Sequence, residues 1–394
     1  MTTAYNYDAI LLASFGGPEG QVDVIPFLRN VTAGHGIPEE RLEEVATHYR
    51  AHGGISPINQ QNRDLLAELE KELAERQIDL PIYWGNRNWA PYFPATFQKM
   101  YEDGHRKILV LVTSAYIGYS SNDQYLEDFD KALAETGLEG KLEVVKVREF
   151  FHDKAFTAPN AEFLAAGIKD VRAQLESANG ASHKPNGRIK IHWVTHSIPT
   201  ATAEKQGPAR IKELFGTDVY TAQHQAIADH LMSTVPEAEG LDHQVVFQSR
   251  SGDPRTPWLE PDINDQIEED AENGVDAVVV MPFGFVSDHM EVVWALDTEA
   301  RQTADELGVG FRRTPTPGTH PAFVAGLVDI VEERLGRRPG RAAVGCFEAW
   351  ADVCRPDCCA KVMRDGSVRP TTSAVDAEVR GLAEHAAGTA DGQG

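Results

Sequence analysis

Eight short apolar runs, each followed by a polar loop and then a longer amphipathic stretch, constrain this chain more than any other feature. Four lie near Ile10 (AILLASFGG), Trp84 (IYWGNRNW), Leu111 (ILVLVTSAY) and Val145 (LEVVKVREF). Four more lie near Trp193 (IKIHWVTHS), Val246 (HQVVFQSRS), Val279 (VDAVVVMPFGF) and Arg312 (VGFRRTPTP). Runs that are apolar throughout, rather than alternating with polar residues, belong to strands covered on both faces. The helical stretches between them supply the crossovers that parallel strands require. The pattern predicts two similar doubly wound parallel-sheet α/β domains, Rossmann-like in build, with the active site in the cleft between them. A Gly-, Ser-, Asn- and Pro-rich stretch, SANGASHKPNGR, begins at Ser177 and reads as a linker. The expected units are a first domain over 1–178, a second over 188–340, a cysteine-bearing segment over 341–363 and a partly disordered tail over 364–394.

Helices are equally plain. Residues 59–76 carry Leu65, Leu66, Leu69 and Leu73 at helical spacing among charges, the pattern of a surface helix with one buried stripe. In doubly wound sheets, ligands bind beyond the carboxyl ends of the strands. The residues singled out for chemistry are therefore 14–18, 86–89, 114–123, 195–199, 249–254 and 283–291.

Charge narrows the partners. Sixty acidic residues against 37 basic ones leave a net charge of −23, a field that repels phosphate backbones and anionic membrane surfaces. Nucleic acid is thus excluded as a partner, and an anionic small molecule needs its own Arg, Lys or hydroxyl donors. The opening residues hold no Lys or Arg ahead of the first apolar run, and the longest apolar stretch, 275–286, contains Pro282 and Gly284. That stretch falls short of the ~20 residues a membrane helix needs. The expectation is a soluble, cytoplasmic protein without membrane insertion.

Four motifs carry candidate chemistry. SFGGP (14–18) makes a tight turn after the first strand and exposes Phe15, a surface suited to a flat apolar ligand. HGGISPINQQN (52–62) joins flexible glycines to hydroxyl and amide side chains ahead of a helix. THSIP (195–199) puts His196 at the end of the fifth strand, where a neutral imidazole can accept a proton or bind a metal. FVSDHMEVVWALDTE (285–299) puts Asp288, His289 and Glu291 at the start of a helix after the seventh strand. The equivalent strand positions bring His196 and Glu291 to the same sheet edge, and an imidazole with a carboxylate suits a first-row divalent metal with open coordination sites.

In order and spacing, SFGGP, PFL at Pro26, HGGISPI, THSIP and PFGFVSDHMEVVWALD resemble the ferrochelatases, enzymes that insert ferrous iron into a porphyrin, over about residues 5–340. With its SSNDQY segment and no membrane-binding lip, the chain looks similar to the soluble bacterial coproporphyrin branch. The resemblance implies that His196 and Glu291 are the catalytic, iron-handling pair and that Phe15, Ser56, Tyr116 and Tyr125 contact the porphyrin. It implies coproporphyrin III and Fe²⁺ as substrates, coprohaem as product and a transient contact with the next haem-pathway enzyme. Asp297 and Glu299 are candidate relays for iron or protons, although Ala295 interrupts the line of acids that many members show. Phe15 stands where several relatives place an iron-ligating tyrosine, and His48 near where relatives can carry arginine. A protoporphyrin IX ferrochelatase and a non-catalytic haem-binding iron–sulfur sensor are the alternatives.

All four cysteines, Cys346, Cys354, Cys358 and Cys359, fall in one C-x7-C-x3-C-C stretch. Four thiolates suffice for a [2Fe–2S] cluster or a structural Zn²⁺. The resemblance favours the iron–sulfur cluster, since some ferrochelatases carry one near the C-terminus.

Overall fold

A computed structural model describes residues 6–34, 36–178, 187–251, 255–338, 340–350, 361–362 and 367–369. Each of the eight apolar runs forms a strand. β1 (Ala9–Ser14), β2 (Ile82–Asn86), β3 (Lys107–Val112) and β4 (Glu143–Lys146) make one sheet in the order β2-β1-β3-β4. β5 (Ile189–His196), β6 (Asp242–Gln248), β7 (Ala277–Met281) and β8 (Gly310–Arg313) make a second in the matching order β6-β5-β7-β8. Every pairing in both sheets is parallel: Leu12 pairs with Trp84 and Leu111, and Trp193 with Val245 and Met281. The succession of strands reverses beside β1 and beside β5, so each sheet has its switch point at the exit of those strands, where ligand-binding loops gather.

Between the strands run α1 (Val24–Val31), α2 (Glu39–Ala51), α3 (Ile58–Glu75), α4 (Phe93–Glu102), α5 (Gln124–Thr136) and α6 (Lys154–Ala178) in the first half. In the second half lie α7 (Thr200–Ala203), α8 (Ala209–Phe215), α9 (Val219–Thr234), α10 (Ile263–Glu272), α11 (Met290–Val292), α12 (Arg301–Leu307) and α13 (Pro321–Arg334). A π-helix over Val293–Ala300 continues α11 into α12, a local widening that recurs at functional sites. The helix expected over 59–76 is α3.

Alternation along each strand sorts its side chains into layers. Ile10, Leu12, Leu109 and Leu111 of the first sheet share one core with Ile191, Trp193, Val279 and Met281 of the second, filled from α3, α6, α9 and α13. Leu11 and Val110 face an outer core with Phe93, Phe97 and Phe129. Val194 and Val278 face another with Ile263, Ile267 and Leu296. Helix α6 precedes the linker yet packs on the second sheet: a side-chain carbon on Gly167 would lie 2.8 Å from Val279 Cγ1. A buried ion network ties the end of the first sheet to α13, with Arg148 donating to Glu333 at 2.9 and 3.1 Å and to Asp153 at 2.6 Å. Breaking such a network leaves an uncompensated buried charge, which costs roughly 3–5 kcal/mol.

Candidate active site

His196 is the last residue of β5, and its ring is held from both ends. Its Nδ1–H donates to the Ser197 carbonyl, which leaves Nε2 facing Glu291 Oε2 at 3.2 Å. Burial disfavours the charge on His196, but the hydrogen bond and negative charge of Glu291, aided by the Ser197 carbonyl, outweigh it and hold the imidazole above its ordinary 6.5. Burial likewise pushes the Glu291 carboxyl up, and His196 and then His289 overcome it, pulling Glu291 down from 4.5 to about 2. Each partner thus favours the charged form of the other, an imidazolium facing a carboxylate. Both side chains remain accessible, at 33% and 49% exposure.

The strand end beneath His196 is braced. Tyr220 of α9 donates its hydroxyl to the His196 carbonyl at 3.1 Å and receives the Thr195 hydroxyl at 2.6 Å. Ser197 is fixed by its N–H on the Gln248 carbonyl and its hydroxyl on Leu259, both at 2.8 Å. The loop leaving β7 crosses this strand end at Gly284, whose N–H donates to the Val194 carbonyl at 3.1 Å. A side-chain carbon there would stand 2.2 Å from Thr195 Oγ1, so the crossing requires glycine.

That loop delivers Asp288, His289 and Glu291. Asp288 is taken up structurally: its carboxylate accepts from Arg313 at 3.0 and 3.2 Å and from Thr316 at 3.1 Å, while its N–H donates to Gln61 of α3 at 2.8 Å. Arg313 also binds Asp297 at 2.6 and 3.0 Å. Asp297, considered above as a relay, is thus committed to a salt bridge, while Glu299 lies exposed further along. His289 is held below its ordinary pKa by burial, which outweighs the opposing charge of Glu291. It is the neutral neighbour of the charged pair, sitting edge-on to Phe285 at 5.1 Å.

The facing wall comes from the first half. Phe15, 37% exposed, packs edge-on against Phe27 at 6.3 Å, and Phe27 contacts Tyr49 at 5.9 Å and Trp89 at 6.2 Å. Met290, beside Glu291, inserts into the same cluster. Trp294, in the π-helix, stacks flat on His48 of α2. An apolar aromatic wall thus adjoins the imidazole–carboxylate pair.

The remaining expected porphyrin contacts are enclosed by protein. Ser56 is 3% exposed and packs against Gly17 in the turn that displays Phe15. Tyr125 lies in the outer core of the first sheet under the Arg87 guanidinium, 3.8 Å from its ring centre. Tyr116 lies in the shared core, stacked on His224 at 3.7 Å, with a hydroxyl that has no partner among the described residues. Of the cysteines, Cys346 is exposed, and Cys354, Cys358 and Cys359 lie outside the described residues.

Sequence reasoning named His289 without a role, held Gln61 and Trp294 only as unremarked members of the motifs 52–62 and 285–299, and did not reach Tyr49, Tyr220 or Arg313. His289 had a signal, since it sits in the motif between Asp288 and Glu291. Tyr49, Tyr220 and Arg313 carried none, because their partners are distant in the chain. Among the described residues, no group of three or more His, Cys, Asp or Glu side chains is placed to hold a metal ion.

Twin doubly wound sheets with an imidazole–carboxylate pair on the strand-exit loops of one of them define the class: an α/β enzyme with its reactive groups at the carboxyl edge of a parallel sheet. The chain belongs to the ferrochelatase family, whose model matches residues 7–335. It is 51% identical over 371 residues to a coproporphyrin III ferrochelatase of Leifsonia xyli subsp. xyli, covering 92% of this chain and 93% of that one. It is 48% identical over 362 residues to a coproporphyrin III ferrochelatase of Streptomyces coelicolor, covering 90% and 93%. Among solved structures, the sirohydrochlorin chelatase SirB of Bacillus subtilis subspecies spizizenii aligns with a TM-score of 0.46 at 12% identity, over 84% of this chain and 97% of that one.

Proposed function

We propose that this protein inserts Fe²⁺ into coproporphyrin III, releasing two protons and forming coprohaem for haem synthesis. The observation that carries the reading is the accessible His196–Glu291 pair beside the aromatic wall of Phe15 and Phe27. Insertion replaces two pyrrole N–H bonds by iron–nitrogen bonds, with no change of oxidation state. The macrocycle lies against Phe15, and His196 Nε2, once unprotonated, accepts a pyrrole proton. Glu291 stabilises the imidazolium so formed and offers an oxygen donor to Fe²⁺ as it sheds water. His289, kept neutral, adds a nitrogen beside them without adding charge. The choice of coproporphyrin III over protoporphyrin IX is supported by the names of the relatives; of the expected macrocycle contacts Phe15 is exposed on the wall, while Ser56, Tyr116 and Tyr125 are enclosed by protein and are given no contact with the ring.

The donor set at the C-terminus fits an iron–sulfur centre: four thiols in one short stretch, the first of them exposed. Cys346, Cys354, Cys358 and Cys359 would hold a [2Fe–2S] cluster, with Zn²⁺ as the alternative occupant. Such a cluster supplies a cross-link and a one-electron centre, neither of which a redox-neutral insertion consumes. No helix among the described residues is long and apolar enough to cross a membrane. The proposal further takes the enzyme to work in the cytoplasm and to pass coprohaem on through transient contact with the next enzyme.

The test is an anaerobic metallation assay with Fe²⁺ and, in parallel, coproporphyrin III and protoporphyrin IX, after recording the protein's own visible spectrum. Faster conversion of coproporphyrin supports the proposal, and preference for protoporphyrin overturns the substrate. Porphyrin binding without insertion overturns the reaction and favours the haem-binding sensor.

A further inference from the structure

The cysteine-bearing segment begins as a strap gripped by one residue. His152 accepts the Val344 N–H on its carbonyl at 2.8 Å and the Trp350 N–H on its ring Nε2 at 2.9 Å. Arg341 closes the strap on itself by donating to the Trp350 carbonyl at 3.0 Å. Val344, Phe347 and Trp350 turn inward at every third position, while Gly345 and Cys346 face solvent. Phe347 stacks on Phe215 at 5.3 Å and meets Phe151 edge-on at 5.5 Å, and Trp350 meets Phe151 at 5.8 Å.

Phe151 does not end the contact chain. It stacks on Tyr116 with ring centres 5.5 Å apart, and Tyr116 stacks on His224 at 3.7 Å and 11°. His224 Nδ1 donates to the Tyr220 carbonyl at 2.7 Å, one helical turn back. Tyr220 is the residue whose hydroxyl holds Thr195 and the His196 carbonyl. Phe151 and His224 are fully buried and Tyr116 is 2% exposed, so the column has no slack, and a displacement at one end must be taken up along it.

We infer that residues 341–350 are a strap that positions His196, acting through the stacked column of Phe151, Tyr116, His224 and Tyr220. These are positioning residues, since none of them supplies the imidazole or the carboxylate. The inference rests on the proposed function for what His196 does, but the mechanical link stands on the contacts alone. Cys346 lies between the strap's two anchor points, so a centre held by the cysteines draws on the same contacts.

The experiment uses the full-length protein with Trp350→Ala and the conservative Trp350→Phe, read in two ways. In the ligand-free protein, hydrogen exchange of residues 195–199 is expected to accelerate in Trp350→Ala and to return to the parental rate in Trp350→Phe. In the metallation assay, Trp350→Ala is expected to lower kcat about five-fold with KM for coproporphyrin III unchanged, a size that coupling through packed side chains carries, and Trp350→Phe restores it. Parental exchange at 195–199 in Trp350→Ala, with faster exchange confined to residues 341–350, overturns the strap. Should Trp350→Ala fail to fold, Phe347→Leu makes the same comparison. The exchange measurement needs no substrate, so it decides the strap even if the parent protein metallates nothing.

Discussion

Trp294 lies flat on His48, ring centres 4.1 Å apart and planes 7° from parallel, and so joins the helix that carries Glu291 to helix α2 of the other half. His52 adds an edge contact to the same indole at 6.0 Å. Burial pushes the His48 imidazole below its ordinary 6.5, against the pull of Glu299, and so favours the neutral ring in the stack. Stacked aromatic pairs contribute about 0.5–1.5 kcal/mol beyond the area they bury. His48→Ala is expected to lower the free energy of unfolding by about that amount, seen as a lower urea midpoint at unchanged slope. An unchanged midpoint would show that the stack does not hold the halves together.

The proton requirement sets a pH profile. His196 must be unprotonated to accept a pyrrole proton, and Glu291 holds its pKa above 6.5, so kcat/KM rises with pH through a midpoint above that value. Glu291→Gln removes the charge and leaves burial, which lowers an imidazole pKa, opposed only by the Ser197 carbonyl, so the midpoint moves down while activity falls. A midpoint that stays in place sinks the pairing. The stability signs are opposite for the two partners. His196, raised on folding, contributes below its unfolded value near 6.5, and the contribution is lost as pH rises through its folded pKa. Glu291, lowered on folding, contributes above 4.5 and loses this as pH falls toward about 2.

Removing the imidazole itself separates chemistry from binding. His196→Ala should reduce metallation by about 100-fold or more, the range that a positioned acid–base group contributes. Coproporphyrin binding, followed by the shift of its visible absorption on titration, is expected to persist because the aromatic wall is untouched. Retained turnover takes His196 out of its role.

Gly284 offers a steric test. In Gly284→Ala the new methyl meets Thr195 Oγ1 at 2.2 Å and Thr195 Cβ at 2.6 Å, both carried on a strand paired on either side. Either the loop or the strand end must move, which strains the Thr195–Tyr220 hydrogen bond under His196. Overpacking of this kind costs about 1–3 kcal/mol. Denaturant unfolding reads that loss, and kcat should fall with it. Parental kcat in a destabilised variant would mean that the crossing supports the fold but not the histidine.

The cysteine assignment has an optical readout. If Cys346, Cys354, Cys358 and Cys359 hold a [2Fe–2S] cluster, the purified protein absorbs visible light before any porphyrin is added, and Cys354→Ser abolishes that band. A colourless protein carrying stoichiometric zinc selects the other occupant, and a spectrum unchanged by Cys354→Ser removes that residue from the ligand set.

Much of this protein was legible along the chain because its strongest signals are local. Runs such as ILVLV and AVVVM are apolar at every position, which marks strands covered on both faces, and all eight candidate runs became parallel strands. His196 and Glu291 were found because each follows a strand of the same sheet, and strand exits converge by geometry.

Tertiary structure decided everything that depends on which distant residues meet. Asp297 looked like a free relay until Arg313 of β8 claimed it together with Asp288. Helix α6 crosses from the first half to cover β7, and Tyr220 and Trp350 bear on His196 through contacts that no spacing rule encodes. By itself the sequence determined the elements, their parallel pairing and the meeting of His196 with Glu291 at one sheet edge, since periodicity and strand-exit placement are short-range properties of the chain. Packing determined the direction in which the His196 and Glu291 pKa values are pushed, the fate of the neighbouring acids and the brace behind the histidine, since these depend on burial and on atoms brought together only when the two sheets close on their shared core.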